Sequence, residues 1–257
     1  MVQAAVTSAL AQSHPEVEVV VVDDGSTDLL TQATLERIES AGGARVVRQA
    51  NQGLSGARNR GIEVATGDYI LPLDHDDDMH VDYAAKAAAV LDARPNVGIV
   101  YARAERFGAS TGEWHLPDFT IGRMLMGNVI YASSMFRRSD WIAVDGYSTE
   151  LHRGWEDWGL WMKILGLGRE VVRLDEILFR YRDTEGSMAK GMSYADRVEA
   201  FAQIFASNSA VYADNANEFA DQVLGQWEML AHFKGRYGRV ENLISRAGAL
   251  RRKLRRT

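Results

Sequence analysis

The sequence predicts an α/β fold, a Rossmann-like, mostly parallel sheet flanked by helices, with a C-terminal helical extension. Three observations carry this. Short β-branched runs alternate with helical segments over the first two-thirds of the chain. Two acidic clusters, Asp23-Asp24 and Asp74 to Asp78, fall at the carboxyl ends of expected strands, where open α/β sheets place their ligands. After about residue 193 the strand signals stop and only helical patterns continue. The expected division is therefore 1–190 for the α/β unit and 191–257 for the extension.

Taken in order, residues 2–13 bring Val2, Ala5, Val6, Ala9 and Leu10 to helical spacing. "VEVVVVDDGSTD" is apolar on both faces, as a buried parallel strand is, and closes in turn residues. Thr27 or Asp28 can cap the helix "LLTQATLERIES". "GGARVVRQ" reads as a strand, "NQGLSGARNRGIEVA" as a glycine-punctuated loop running into a helix, and "DYILPL" as the next strand. "VDYAAKAAAVLDARP" has Ala and Leu in most positions and predicts a helix, followed by the strand "NVGIVYARAERF". The middle stretch, from Trp114 to Leu151, has no clear period. "GWEDWGLWMKILGLG" is a helix opened by two acids, and "REVVRLDEILFRYR" supplies one or two strands.

Composition narrows the chemistry. The 257 residues include no cysteine, which excludes disulfides, thiol catalysis and cysteine metal sites and fits a cytoplasmic location. A net charge of −6 argues against a general nucleic-acid binder. No apolar run approaches the ~20 residues of a membrane span, and the first residues lack the pattern of a signal peptide. The other end carries Arg246, Arg251, Arg252, Lys253, Arg255 and Arg256. As a helix this segment can make peripheral contact with an anionic membrane surface; a solvated helix end is the other reading.

"LPLDHDDDMH" sets four aspartates within five positions, and like charges so close repel one another. Asp74, Asp76 and Asp78 begin like a calcium-binding loop, but Met79 stands where its glycine belongs and Ala85 where its last glutamate belongs. A magnesium or manganese ion held by one or two carboxylates, with water and diphosphate completing its shell, fits better. The alternative is an Asp-rich turn capping the next helix, Asp82 included. Asp23 and Asp24 form a strand-end turn whose carboxylates can accept hydrogen bonds from a base or a ribose hydroxyl. Glu156 and Asp157 gain from the helix dipole in a first turn. Among Trp155, Trp158 and Trp161 an acid is also desolvated toward a useful base. Trp158, Trp161 and Leu165 share a helix face and read as core, although indole faces also suit sugars. "GLSGARNRG" has neither the glycine spacing of a dinucleotide site nor the Gly-Lys-Ser/Thr of a phosphate loop.

Four motifs in order, "VVVVDDGSTD", "NQGLSGARNRG", "DYILPLDHDDD" and "GWEDWGLWMKI", resemble the family 2 glycosyltransferases and their GT-A fold over about residues 2–190. The resemblance implies an inverting, metal-dependent transfer of a sugar from a nucleotide-sugar donor to a hydroxyl of a glycan or lipid-linked acceptor, in cell-surface glycan synthesis. It implies nucleotide-sugar binding by Asp23, Asp24, Gly53, Arg58, Asn59, Asp74 and His75, with Asp74 near the ribose. Asp76 with Asp74 would hold Mn2+ or Mg2+, Asp77 would stand behind them, and Asp157 with Glu156 would form the catalytic acid pair, Asp157 as general base. The family places a strand ahead of the first helix, and Met1 falls where that helix starts, so a sheet without it is expected. A non-catalytic or weakly binding relative is the alternative this raises; a metal phosphohydrolase using the same aspartates is a third. Where the family often has a metal-binding histidine, "YRDTEGSM" carries Thr184, flanked by the oxygen donors Asp183 and Glu185.

Overall fold

The computed structural model describes residues 1–152, 154–184 and 191–254, with side chains as far as residue 236. Its first elements are α1 (Val2–Leu10), β1 (Val19–Asp24), α2 (Leu29–Ala41), β2 (Ala44–Gln49) and α3 (Gly53–Val64). Asp28 caps α2 by accepting from the Thr31 amide at 2.8 Å. β1 and β2 pair in parallel from Val19 with Ala44 to Asp24 with Gln49, and form a two-stranded sheet of their own.

β3 (Tyr69–Ile70), β4 (Asp78–Met79), α4 (Tyr83–Ala93), β5 (Val97–Gly108), β6 (Gly112–Trp114), α5 (Ile121–Met126), β7 (Met135–Arg137), α6 (Arg138–Ala143), α7 (Glu156–Gly166) and β8 (Glu170–Asp183) follow. The second sheet runs β3-β7-β5-β8-β4, with β6 beside β5. The two long ladders, β1 with β2 and β5 with β8, are parallel, and the four short ones are antiparallel. The expected mostly parallel sheet is thus realised as a mixed one. "REVVRLDEILFRYR" is a single strand that takes up register shifts against β5 between Ala102 and Ala104.

"DYILPL" is a strand for two residues only. Pro72 has no amide hydrogen to give a ladder, and the chain leaves the sheet there. β3 and β4 stand at opposite edges of the sheet, joined by Leu71 to Asp77. Five strands at about 4.8 Å spacing put those edges roughly 19 Å apart. The eight steps from Ile70 to Asp78 cover that distance with a turn at Asp74 to Asp77 included, so the aspartate segment crosses the end of the sheet.

The core lies on the central strand. Val97 to Ala102 of β5 are all buried, and α4 lays Tyr83, Ala84, Ala87, Ala88 and Leu91 against the sheet. α7 contributes Trp158, Leu160, Trp161 and Ile164, with Trp161 edge-on to Phe136 at 5.6 Å. Trp158 and Trp161 are core, as their helical spacing predicts. Three helices follow: α8 (Tyr194–Ser207), α9 (Ser209–Asp214) and the long α10 (Ala216–Leu254). Ser193 and Asp196 form a capping box at the start of α8.

Candidate active site

The four crowded aspartates are separated by arginines. Asp74 accepts from Arg58 at 2.7 Å, and Asp78 pairs with Arg180 at 2.9 Å. Buried Asp77 accepts from the Arg182 amide at 2.7 Å, and the Arg182 guanidinium donates to the backbone oxygen of Asp76 at 2.8 Å. Arg180 also reaches Glu105 at 2.9 Å, and both arginines lie over the ring of Phe107. Much of the positive charge that the acid run lacks in sequence therefore comes from side chains 16 to more than 100 residues away. Burial, followed by Asp74 and Asp76, pushes the Asp77 carboxyl up to about 8 against the pull of the Arg182 amide.

Asp76 is the member left open. Among the described residues its carboxylate meets only the imidazole of His75, 4.0 Å away, and His75 itself is exposed. No three acid or imidazole groups converge as a closed metal cage among the described residues. Asp76 and the oxygen of Asp74 not used by Arg58 are hard donors that suit Mg2+ or Mn2+, ions that keep several waters or phosphate oxygens. The turn itself is tied by the Asp77 amide donating to the Asp74 carbonyl at 3.1 Å. Asp82 makes no cap on α4; it accepts from Ser13 instead. Asp183 accepts from Ser110 at 2.5 Å, and Glu185 lies outside the described residues.

Arg58 links two motifs. Its guanidinium, 9% exposed, holds Asp74 on one side and Glu156 at 2.6 Å on the other, above the ring of Tyr147. Burial alone would lower its pKa, but Asp74, Tyr147 and Glu156 raise it, so it stays charged. Glu156 is therefore occupied as the partner of Arg58. Its neighbour Asp157 is the freer acid. Burial first and Glu156 second push the Asp157 carboxyl up to about 7; Arg58, the Trp158 amide and Asn128 pull the other way.

Asn128 escaped the sequence reading because it lies in the stretch without a period. Its side-chain carbonyl accepts from the Ile130 amide at 3.1 Å, which turns its NH2 group to Asp157 at 2.8 Å. The start of α7 is fixed by Trp155 in the left-handed region, φ 65°, immediately after Gly154 at φ 119°. A bulky residue held there stores strain of the kind found at functional sites. We expect Asn128→Ala to raise the Asp157 pKa by about one unit, since a hydrogen bond to an ionised group contributes roughly 1.5 kcal/mol. A pH profile of turnover would show this as a rising limb displaced to higher pH.

The remaining candidates are placed differently. Asp24 accepts from Gln49 at 2.7 Å and from the Gln52 amide at 2.8 Å; Asp23 is buried and accepts from the Ser26 amide at 2.9 Å. Gly53 opens α3 at φ 76°, where a side chain would be strained. Asn59 has its amide engaged on both sides: it donates to the Tyr147 carbonyl at 2.9 Å and accepts from Trp141 and the Tyr147 amide. That pins the turn before α7 and leaves it less suited to a nucleotide than its motif suggests. A cleft of about 290 Å³ beside β5 and β8, lined by Trp114, Tyr131 and Arg173 among others, shares no residue with the acidic site.

Known proteins resemble this chain in sequence and in fold. The family profile described as Glycosyl transferase family 2 matches residues 1–149. The succinoglycan biosynthesis protein ExoO of Rhizobium meliloti is 36% identical over 137 residues, 50% of this chain and 39% of ExoO. The chain spans between 21% and 30% of the length of three further curated relatives that it matches. S. aureus TarS 1-349 in complex with UDP-GlcNAc superposes with a TM-score of 0.67 at 21% identity, covering 86% of this chain and 67% of the TarS 1-349 chain. The mannosyltransferase PcManGT of Pyrobaculum calidifontis, in complex with GDP-Man and Mn2+, gives 0.58 at 19% identity, covering 91% and 77%. Those two likenesses are of fold, the GT-A arrangement of a sheet flanked by helices. With the profile running through the β1 turn, the α3 segment and the aspartate crossing, over more than half its length, the chain belongs to glycosyl transferase family 2.

Proposed function

We propose that this chain transfers a sugar, with inversion, from a nucleoside-diphosphate donor to an acceptor hydroxyl in the synthesis of a cell-surface polysaccharide. The observation that carries the reading is the relay from Asp74 through Arg58 and Glu156 to Asp157. It links an acid pushed up to about 7 to an acid run whose Asp74 and Asp76 would bind a donor's diphosphate through a divalent ion. Support for the substrate class comes from relatives: ExoO is a succinoglycan biosynthesis protein, and the TarS and PcManGT complexes contain UDP-GlcNAc and GDP-Man.

Asp157 takes the proton of the acceptor hydroxyl as its oxygen attacks the anomeric carbon, while the bond to the diphosphate breaks. Asn128 and the Trp158 amide keep the carboxylate oriented for that transfer. Arg58 fixes Asp74 against Glu156, so donor side and base side keep one spacing. Asp76 and Asp74 would hold Mg2+ or Mn2+. When bound, the ion supplies Lewis-acid neutralisation of the departing diphosphate.

One observation favours a second reading, a non-catalytic relative. Among the described residues β1 and β2 are not hydrogen-bonded to the larger sheet, so Asp23 and Asp24 stand on a strand outside the sheet whose β3–β4 connection carries Asp74 and Asp76. Nucleoside-diphosphate release from UDP-, GDP- and dTDP-sugars with manganese separates the two. The transferase reading expects release from at least one donor and thermal stabilisation by the matching nucleotide. Neither response across the set would establish the non-catalytic reading instead.

A further inference from the structure

Helix α10 leaves the body carrying large apolar side chains in solvent. Leu224, Trp227, Met229, Leu230 and Phe233 are 53%, 64%, 59%, 57% and 54% exposed. The first turns of the helix are the ones that pack: Glu218 and Gln222 lie against Gly122 of α5, and Phe219 meets Tyr212 edge-on at 5.3 Å. Beyond them the sequence keeps one apolar period. Met229, Phe233, Tyr237, Val240, Ile244 and Ala247 recur at spacings of four and three.

Charge divides at the same place. From Met229 onward the sequence has nine Lys and Arg and one acid, Glu241, a net +8, while the whole chain is −6, so the first 228 residues carry −14. No helix among the described residues is long and apolar enough to cross a membrane. A helix with an apolar stripe and an excess of Lys and Arg, too polar to span, lies in the headgroup plane of a bilayer. A second copy is the poorer occupant, since two such helices would set nine cations against nine. An anionic lipid surface answers both features: it takes the apolar row and pairs with the cations, while the acidic body is repelled and stands off it.

We propose that α10 docks this chain on anionic membrane surfaces through the apolar row that begins at Met229 and Phe233, together with the basic residues around it. The inference stands apart from the sugar-transfer reading, and its test uses no donor. The full chain is sedimented with vesicles of phosphatidylcholine alone and of phosphatidylcholine with phosphatidylglycerol at about 30%. The expected result is at least about tenfold more bound chain on the anionic vesicles, declining as added salt shortens the Debye length. The double variant Met229→Ser/Phe233→Ser, which keeps every charge, should lose about tenfold of that binding. Both positions are exposed, and circular dichroism checks that the variant remains helical. Equal binding to both vesicles, no binding, or anionic binding untouched by the double variant would each overturn the proposal. So would a dimer in light scattering that the same variant dissociates, because the row would then face a second copy.

Discussion

Asp157→Asn should reduce nucleoside-diphosphate release by about a thousandfold while leaving nucleotide affinity nearly unchanged. Removing a positioned general base typically costs 10²- to 10⁴-fold, roughly, in turnover. An asparagine keeps the shape of the carboxylate, and its single oxygen can still accept from the Trp158 amide, although its NH2 group cannot accept from Asn128 as the second carboxylate oxygen does. What it lacks is proton affinity. Turnover of the parent should also rise with pH through about 7, because the base acts only when ionised and burial beside Glu156 holds its pKa there. Glu156→Gln supplies the sign test. It removes a negative neighbour that raises the Asp157 pKa, so the rising limb should move to lower pH. Stopped assays across pH 5 to about 9, with whichever of the UDP-, GDP- and dTDP-sugars releases its nucleoside diphosphate, measure both. Full turnover in Asp157→Asn would place the base elsewhere.

Much of the fold was legible because it depends on local pattern. The periods of α4 and α7 and the β-branched runs of β1, β2 and β5 are written in adjacent residues, and each element formed where its pattern lay. The identity of the carboxylates was legible for the same reason: crowded acids at strand ends are visible one residue at a time. Their partners were not. Arg58 lies 16 residues from Asp74 and 98 from Glu156, and Arg180 and Arg182 lie more than 100 residues beyond the aspartates they serve. Only the tertiary fold brings such groups together. One signal was available, since Arg180 and Arg182 alternate on a strand and so share a face. Asn128 had none: it follows a six-residue helix in a stretch where neither period holds. The shortness of β3 was readable from Pro72, whose missing donor was outweighed in the sequence by the apolar run around it.

Removing Arg58 should cost the fold a large share of its stability. Breaking a buried ion pair by deleting one partner costs about 3–5 kcal/mol, because the other charge is left without a counterion. Of its two partners, Glu156 is 7% exposed in its side chain and Asp74 is 37% exposed. Asp74 can turn to water, so most of the loss falls on Glu156. For Arg58→Met we expect about 3 kcal/mol of destabilisation near neutral pH, a fall in Tm of roughly 8 °C for a chain of this size. The double variant Arg58→Met/Glu156→Gln removes both charges and should recover most of the loss, since replacing both partners leaves no buried ion behind. A double-mutant cycle by chemical denaturation tests this. A coupling between Arg58 and Glu156 below about 0.5 kcal/mol would mean that the two sites are independent, and the link from donor side to base side would lose its energetic basis.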